Sequence, residues 1–309
     1  MVTLCVALFA LGIGLGIQFA KPPPPPDFSR PALEPPVDDA VSPEVPAGSV
    51  EDDTSAPLPE DPMAASADDP QASEDAATAL DTVRQPAPGG APRIAIIIDD
   101  LGRSIGQVDE LASLGVPLTF SVLPFEVRTA EVVERLRLLD VEYLCHLPME
   151  ALGGVDAGPG SLRASMSPDD LRAATLRALE AVPGAQGANN HMGSAVVGDA
   201  EAMRTILRVL DERGIFFVDS RTSAQTVGYT VARSLGLASA ERQVFLDNDR
   251  DPERIRAQFR ELLDVAQRRG GAVAIAHPYP ETIATLREEL PAARAAGVEL
   301  VPVSRLLER

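Results

Sequence analysis

The sequence predicts an α/β domain built on a parallel β-sheet, either a (β/α) barrel or a doubly wound sheet. Apolar runs of strand length recur about eight times within residues 93–309. Segments of helical periodicity separate most of them. Several runs are apolar on both faces, as strands covered on two sides must be.

In chain order the strand-like runs are Ile94–Ile98, Leu118–Leu123, Val141–Cys145, a weaker one before Asn189, Ile215–Val218, Val244–Leu246, Ala272–Ala276 and Val298–Val303. The clearest helix is Asp169–Val182, which Ser167 and Pro168 introduce as cap and first-turn residues. Glu201–Arg213 is closed by Gly214, and Pro252–Arg269 by Gly270. With no Trp and few aromatic residues, Val, Ile, Leu and Ala must fill the core.

The remainder of the chain differs in composition. Residues 2–19 carry no charge and are long enough for a membrane-spanning helix of nearly minimal length. No Lys or Arg precedes this run and no clear small-x-small cleavage site follows it, so residues 1–20 read as an uncleaved anchor rather than a signal peptide. Residues 21–92 hold 17 of the 28 prolines and 15 acidic against 3 basic residues. Such a segment buries too little apolar surface to offset the entropy of ordering, which predicts a disordered, extended tether. Residues 93–309 are the folded domain.

The net charge of −19 excludes a nucleic-acid binder that works through a basic face. Most of that charge belongs to the tether, which contributes −12, and the folded part carries only −7. Of the two cysteines, Cys5 lies in the apolar run and leaves Cys145 unpaired, so there is no disulfide framework.

In both architectures the active site forms at the carboxyl ends of the strands. Asp99 and Asp100 follow the first apolar run, and two adjacent desolvated carboxylates require compensation by a metal ion or a shared proton. A helix cap is the alternative reading, but Ser104 can serve as that cap. All three histidines hold equivalent places: His146 after VEYLC, His191 after GANN and His277 after AVAIA. Imidazole is the commonest metal ligand, and His combined with Asp suits a divalent metal. Asp219 and Arg221 end a further strand, as a buried strut or a substrate contact. Asp247–Asp251 reads equally as a loop with a helix cap or as part of the site.

Nucleophile chemistry fits less well. There is no G-x-S-x-G elbow, and Cys145 and His146, adjacent on a strand, point to opposite faces. The glycines of 153–160 do not bridge a strand and a helix with phosphate-loop or dinucleotide spacing.

The motifs IAIIIDDLG (94–102), LTFSVLPF (118–125), CHLPMEA (145–151), GANNHMGSAV (187–196), FFVDSRTS (216–223), VFLDND (244–249), AIAHPYPETI (274–283) and ELVPVS (299–304) together resemble the divergent polysaccharide deacetylase family. The resemblance spans essentially all of 93–309. It implies a distorted (β/α) barrel of seven to eight units, like that of the NodB-type carbohydrate esterases. Those enzymes remove N- or O-acetyl groups from polysaccharides with one divalent metal, usually zinc. Carried over, Asp99 is the general base, Asp100 and His146 are metal ligands, and His277 is the general acid. The usual relatives place a second histidine four residues after the first, where this chain has Glu150. His191 is therefore assigned as the third ligand, with Glu150 as its substitute.

The function expected from the resemblance is deacetylation of a cell-envelope polysaccharide or related glycan. Two alternatives are a membrane-tethered module that binds glycan or protein through a degenerate site, and a metal hydrolase of another acyl or amide substrate. The full carboxylate and histidine set favours an enzyme, because binding a neutral glycan needs no metal-activated water. Anchor, tether and family together predict a domain in the bacterial periplasm, held at the inner membrane by its N-terminal helix or released into the periplasm if that segment is cleaved.

Overall fold

A computed structural model describes residues 90–309. The expected anchor and all but the last residues of the expected tether lie outside the described residues. Within the described residues no helix is long and apolar enough to cross a membrane.

The chain alternates β1 (Arg93–Leu101), α1 (Ile105–Ala112), β2 (Thr119–Val122), α2 (Thr129–Leu138), β3 (Tyr143–Met149), α3 (Pro168–Ala181), β4 (Gly187–Met192), α4 (Ala200–Glu212), β5 (Phe216–Asp219) and α5 (Gly228–Ser234). Then follow β6 (Ser239–Glu241), β7 (Val244–Phe245), α6 (Pro252–Arg269), β8 (Gly271–Ala276), α7 (Pro280–Ala295), β9 (Glu299–Leu300) and a 3-10 turn over Val303–Leu306. The strands pair in the order β6-β5-β4-β3-β2-β1-β8-β7, with β9 beside β1, and every pairing between them is parallel.

The outermost strands, β6 and β7, are two pieces of one stretch of chain. The Arg242 N–H between them donates to the Asp219 carbonyl on β5, and the Gln243 N–H donates to the Val273 carbonyl on β8. One broken stave thus reaches both free edges, and the sheet curls into a distorted barrel with alternating helices outside. The C-terminus covers the β6 edge, where Ser239 and Glu308 exchange both backbone hydrogen bonds.

Strand parity divides the core in two. Ile94, Ile96 and Ile98 of β1 face outward into a cluster shared with the helices. Ala95 and Ile97 face inward, where they meet Leu144, Phe216, Val218, Val273, Ile275, Val301 and Val303. This inner cluster contains no residue of an α-helix, so it is the packed interior of the barrel. Its members sit at the amino-terminal and middle parts of the strands, and the polar inward positions follow above them.

The helix signals act as read from the sequence at three places. The Ser167 side chain accepts from the Asp170 N–H, with Pro168 in the first turn. Asp251 caps α6 through the Glu253 and Arg254 N–H groups, and Gly270 closes it at φ 78°, a left-handed conformation open to glycine. Ser104 does stand at the start of α1, but its hydroxyl makes no capping bond. The expected strand Val298–Val303 shortens to two residues, because Pro302 turns the chain into the 3-10 segment that closes the barrel floor. The β6 stave, only Ser-Ala-Glu, carries no apolar run to announce it.

Gly187 opens β4 where a Cβ would stand 2.3 Å from the buried Phe216 ring. Gly187→Val should therefore destabilise the domain by about 1–3 kcal/mol through overpacking. Urea unfolding measures this, and an unchanged midpoint would show that the two strands do not approach so closely.

Candidate metal centre

The site follows from where parity places side chains above the inner core. Asp99 continues the inward row of Ala95 and Ile97, His146 that of Leu144, and Ser220 that of Phe216 and Val218. His277 extends the row of Val273 and Ile275, and Asn189 and His191 share one face of β4. On the opposite row, Cys145 packs outward with its Sγ 3.5 Å from the Ala178 carbonyl of α3. Burial pushes that thiol up, away from reactivity.

Asp100 is the exception to parity. Between Ile98 and Leu101 the pairing with β2 slips: Ile98 faces Phe120 and Leu101 faces Val122, so β1 holds one residue more than its partner. Asp100 takes φ 59°, and this β-bulge lets both carboxylates of the pair face the barrel axis while Leu101 returns to the outer core.

Three ligand-type side chains then converge. Asp100 Oδ1 lies 2.9 Å from His191 Nδ1 and 3.2 Å from His146 Nε2. Neither contact has hydrogen-bond geometry, and Oδ1 is buried without a hydrogen-bond partner. An orphaned buried carboxylate oxygen facing two imidazole nitrogens is costly unless a cation completes it. Tetrahedral zinc with ligand distances of about 2.0–2.2 Å sets its ligand atoms about 3.4 Å apart. The observed spacings lie close to that, and the ligand atoms of Asp100, His146 and His191 all fall within 4.8 Å of one another. These three residues fit a divalent metal with a free coordination position.

Asp99 sits behind this group, its Oδ2 3.6 Å from His146 Nε2. Burial raises its pKa, against the opposing pull of His146, His277 and the Asn189 amide. Burial works the same way on Asp100, but the rings of His146 and His191 outweigh it and hold that carboxyl well below the usual range. His146 is likewise pushed up: burial opposes its charge, and Asp99 and Asp100 prevail.

His277 approaches from the far side of Asp100, with Nε2 3.7 Å from Oδ2. Its Nδ1 lies 3.0 Å from Asp247 Oδ1, and its backbone N–H donates to Asp247 Oδ2 at 2.7 Å. The Thr282 hydroxyl donates to the same Oδ2. Burial lowers the His277 pKa, but the Asp247 bond and charge overcome it, leaving the ring at about 9. Asp247 is thus the buried partner of His277, and only the inward parity it shares with Phe245 could have separated it from the loop that follows.

Asp99, Asp100, His146, His191 and His277 come together, whereas Glu150, Asp219 and Arg221 carry their contacts elsewhere. Glu150 accepts the Ala164 N–H in the loop after β3. Asp219 lies on the outward row of β5 with Phe217, and its carboxylate is taken up by the Arg221 and Tyr229 N–H groups and the Thr226 hydroxyl. The Arg221 guanidinium pairs with Glu241, so the side-chain pair between Asp219 and Arg221 does not form.

A histidine whose folded pKa is raised stabilises the fold below its unfolded value near 6.5, and that contribution is lost as pH rises through about 9. Metal-free protein should therefore lose stability between about pH 6.5 and 9. Asp247→Asn should lower the His277 pKa and flatten this slope. Imidazole NMR titration together with unfolding at several pH values checks both, and an unmoved His277 pKa would disconnect Asp247 from it.

The family model for divergent polysaccharide deacetylases matches residues 96–307. Among curated proteins, the uncharacterised protein YibQ of Escherichia coli K12 is 32% identical over 198 residues, 64% of this chain and 62% of that protein. An uncharacterised protein of Haemophilus influenzae is 30% identical over 198 residues, 64% of this chain and 71% of that one. The chain therefore spans less than two thirds of the length of the first. The crystal structure of an uncharacterised Agrobacterium tumefaciens C58 protein superposes with a TM-score of 0.67 at 24% identity, covering 72% of this chain and 92% of that one. A putative cellobiose-phosphate cleavage protein of Enterococcus faecalis V583 superposes at 0.51 with 13% identity, covering 71% and 100%. Both superpositions show the shared fold. With a match that runs through every strand bearing a site residue, this chain belongs to the divergent polysaccharide deacetylase family.

Proposed function

We propose that this chain is a metal-dependent hydrolase that removes acetyl groups from a cell-envelope polysaccharide or related glycan. The observation that carries the reading is the convergence of His146 and His191 on the buried, unpartnered Oδ1 of Asp100. Two nitrogens and one carboxylate oxygen form a donor set suited to zinc. Bound there, such an ion would supply Lewis-acid polarisation of the acyl carbonyl and make water more acidic.

The protein's own groups divide the proton traffic. Asp99, made more basic by burial, takes a proton from the attacking water, whose oxygen bonds to the acyl carbon. His277, charged near neutral pH through Asp247, gives its Nε2 proton to the sugar nitrogen or oxygen as its bond to the acyl carbon breaks. The proton acceptor thus stands on β1 and the donor just past β8, with Asp100 between them. The uncharged run 2–19 and the proline-rich stretch after it support a barrel held at the bacterial inner membrane and working in the periplasm.

Purified full-length chain should bind one equivalent of zinc and release acetate from acetylated glycan oligomers. His146→Ala and His191→Ala should lose the metal, whereas His277→Ala should keep it and lose about 10²–10⁴ in kcat. Metal content equal to wild type in the His146→Ala, His191→Ala double variant would contradict the site. Stoichiometric metal without acetate release would point to another acyl or amide substrate.

A further inference from the structure

Asn189 sits at the centre of the barrel mouth, entirely buried. Its side chain makes four contacts, as many as an amide can. Nδ2 donates to Asp99 Oδ1 at 2.8 Å and to Ser220 Oγ at 3.3 Å. Oδ1 lies 2.8 Å from His146 Nδ1 and accepts from Ser121 Oγ at 2.6 Å. Every one of these partners is a side chain, and they come from four different staves of the barrel.

A structural asparagine spends most of its bonds on backbone groups, where it replaces missing ladder or turn hydrogen bonds. Asn189 spends none there. The neighbouring Asn190 shows the contrast, since it binds the Met192 carbonyl and the Ser220 N–H and so holds the strand ends. What Asn189 holds is the orientation of Asp99 and His146.

The direction of each bond follows from the partners. With Asp99 ionised, the form in which it can take a proton from water, a flipped amide would set its oxygen 2.8 Å from a carboxylate oxygen, two acceptors without a proton between them. With Nδ2 on Asp99, Oδ1 must face His146 and can only accept, which requires the proton on Nδ1. The lone pair of His146 then sits on Nε2, the atom 3.2 Å from Asp100 Oδ1. The same amide occupies Oδ1 of Asp99 and leaves Oδ2 turned to the same region.

We propose that Asn189 is a positioning residue: it fixes His146 in the tautomer whose Nε2 is free to ligate, and anchors Asp99 by one oxygen so that the other addresses the same centre. The inference rests on the metal reading of the site, and its test separates failure of the one from failure of the other. The amide links the candidate base to a candidate ligand, so one buried side chain sets both geometries.

Long-range proton–nitrogen NMR of the zinc-bound chain should show the His146 ring proton on Nδ1 and none on Nε2. Asn189→Asp keeps an acceptor for Nδ1 and should retain that tautomer, losing less than about tenfold in zinc affinity. Asn189→Leu removes the acceptor and should lose the tautomer preference and about 10–100-fold in zinc affinity, measured by competition with a chromogenic chelator. An Nε2–H tautomer in the wild type would overturn the proposal, and so would unchanged zinc affinity in folded Asn189→Leu. Should that variant not fold, the wild-type and Asn189→Asp spectra still decide. A folded wild-type chain that binds no zinc would refute the metal centre and the ligand-positioning role with it, whereas zinc bound with the His146 proton on Nε2 would refute the positioning role alone.

Discussion

The site depends on one irregularity of the backbone, the bulge that ends β1. A regular strand sends successive side chains to opposite faces, so Asp99 and Asp100 could not both reach the barrel axis. By inserting one residue opposite β2 and holding Asp100 at φ 59°, the chain places two carboxylates side by side above an apolar floor. A left-handed aspartate carries a modest conformational cost, and β1 is held against it by its pairing with β2, β8 and β9. Leu101, returned to the outer core by the bulge, and its carbonyl, which accepts the Leu123 N–H, fix the slip on its far side.

Two adjacent carboxylates, Asp99 fully buried and Asp100 partly so, demand compensation, and imidazole rings reach them from three parts of the barrel. His146 comes from within β3, His191 from the end of β4 and His277 from just past β8, so the rings surround the pair instead of lining one wall. The partners behind the rings differ. His146 leans on a neutral amide and His277 on the buried Asp247 carboxylate. On the proposed function, a neutral amide behind His146 suits a ligand whose Nε2 faces the metal, while the anionic Asp247 favours the charged, proton-donating form of His277. On that reading the asymmetry separates a ligand from a proton donor without any difference in residue type.

Much of this was legible in the sequence because a parallel barrel writes its parity into the chain. The apolar runs gave most of the staves, and reading the residues that follow them found both aspartates and all three histidines. His146 nonetheless lies inside β3 and not at its end, since the strand continues through Leu147, Pro148 and Met149. Asp219 shows what parity alone decides: it alternates with the inward Val218 and shares the outward face of Phe217, and this turns it away from the centre. Asp247 reads equally as loop or as site, and only its parity with Phe245 favours the site, whereas Asn189, inside β4, carries no signal that separates an amide bound to side chains from one bound to backbone. The bulge itself has no composition signature, so the side to which Asp100 points becomes visible only in the register of β1 on β2.

Anomalous diffraction from crystals soaked in zinc, collected at the zinc edge, tests the centre most directly. One peak is expected about 2.0–2.2 Å from Asp100 Oδ1, His146 Nε2 and His191 Nδ1 together, with no ligation by His277. Absence of density there, or a zinc ion held by His277 and Asp247 instead, would contradict the assignment of these residues.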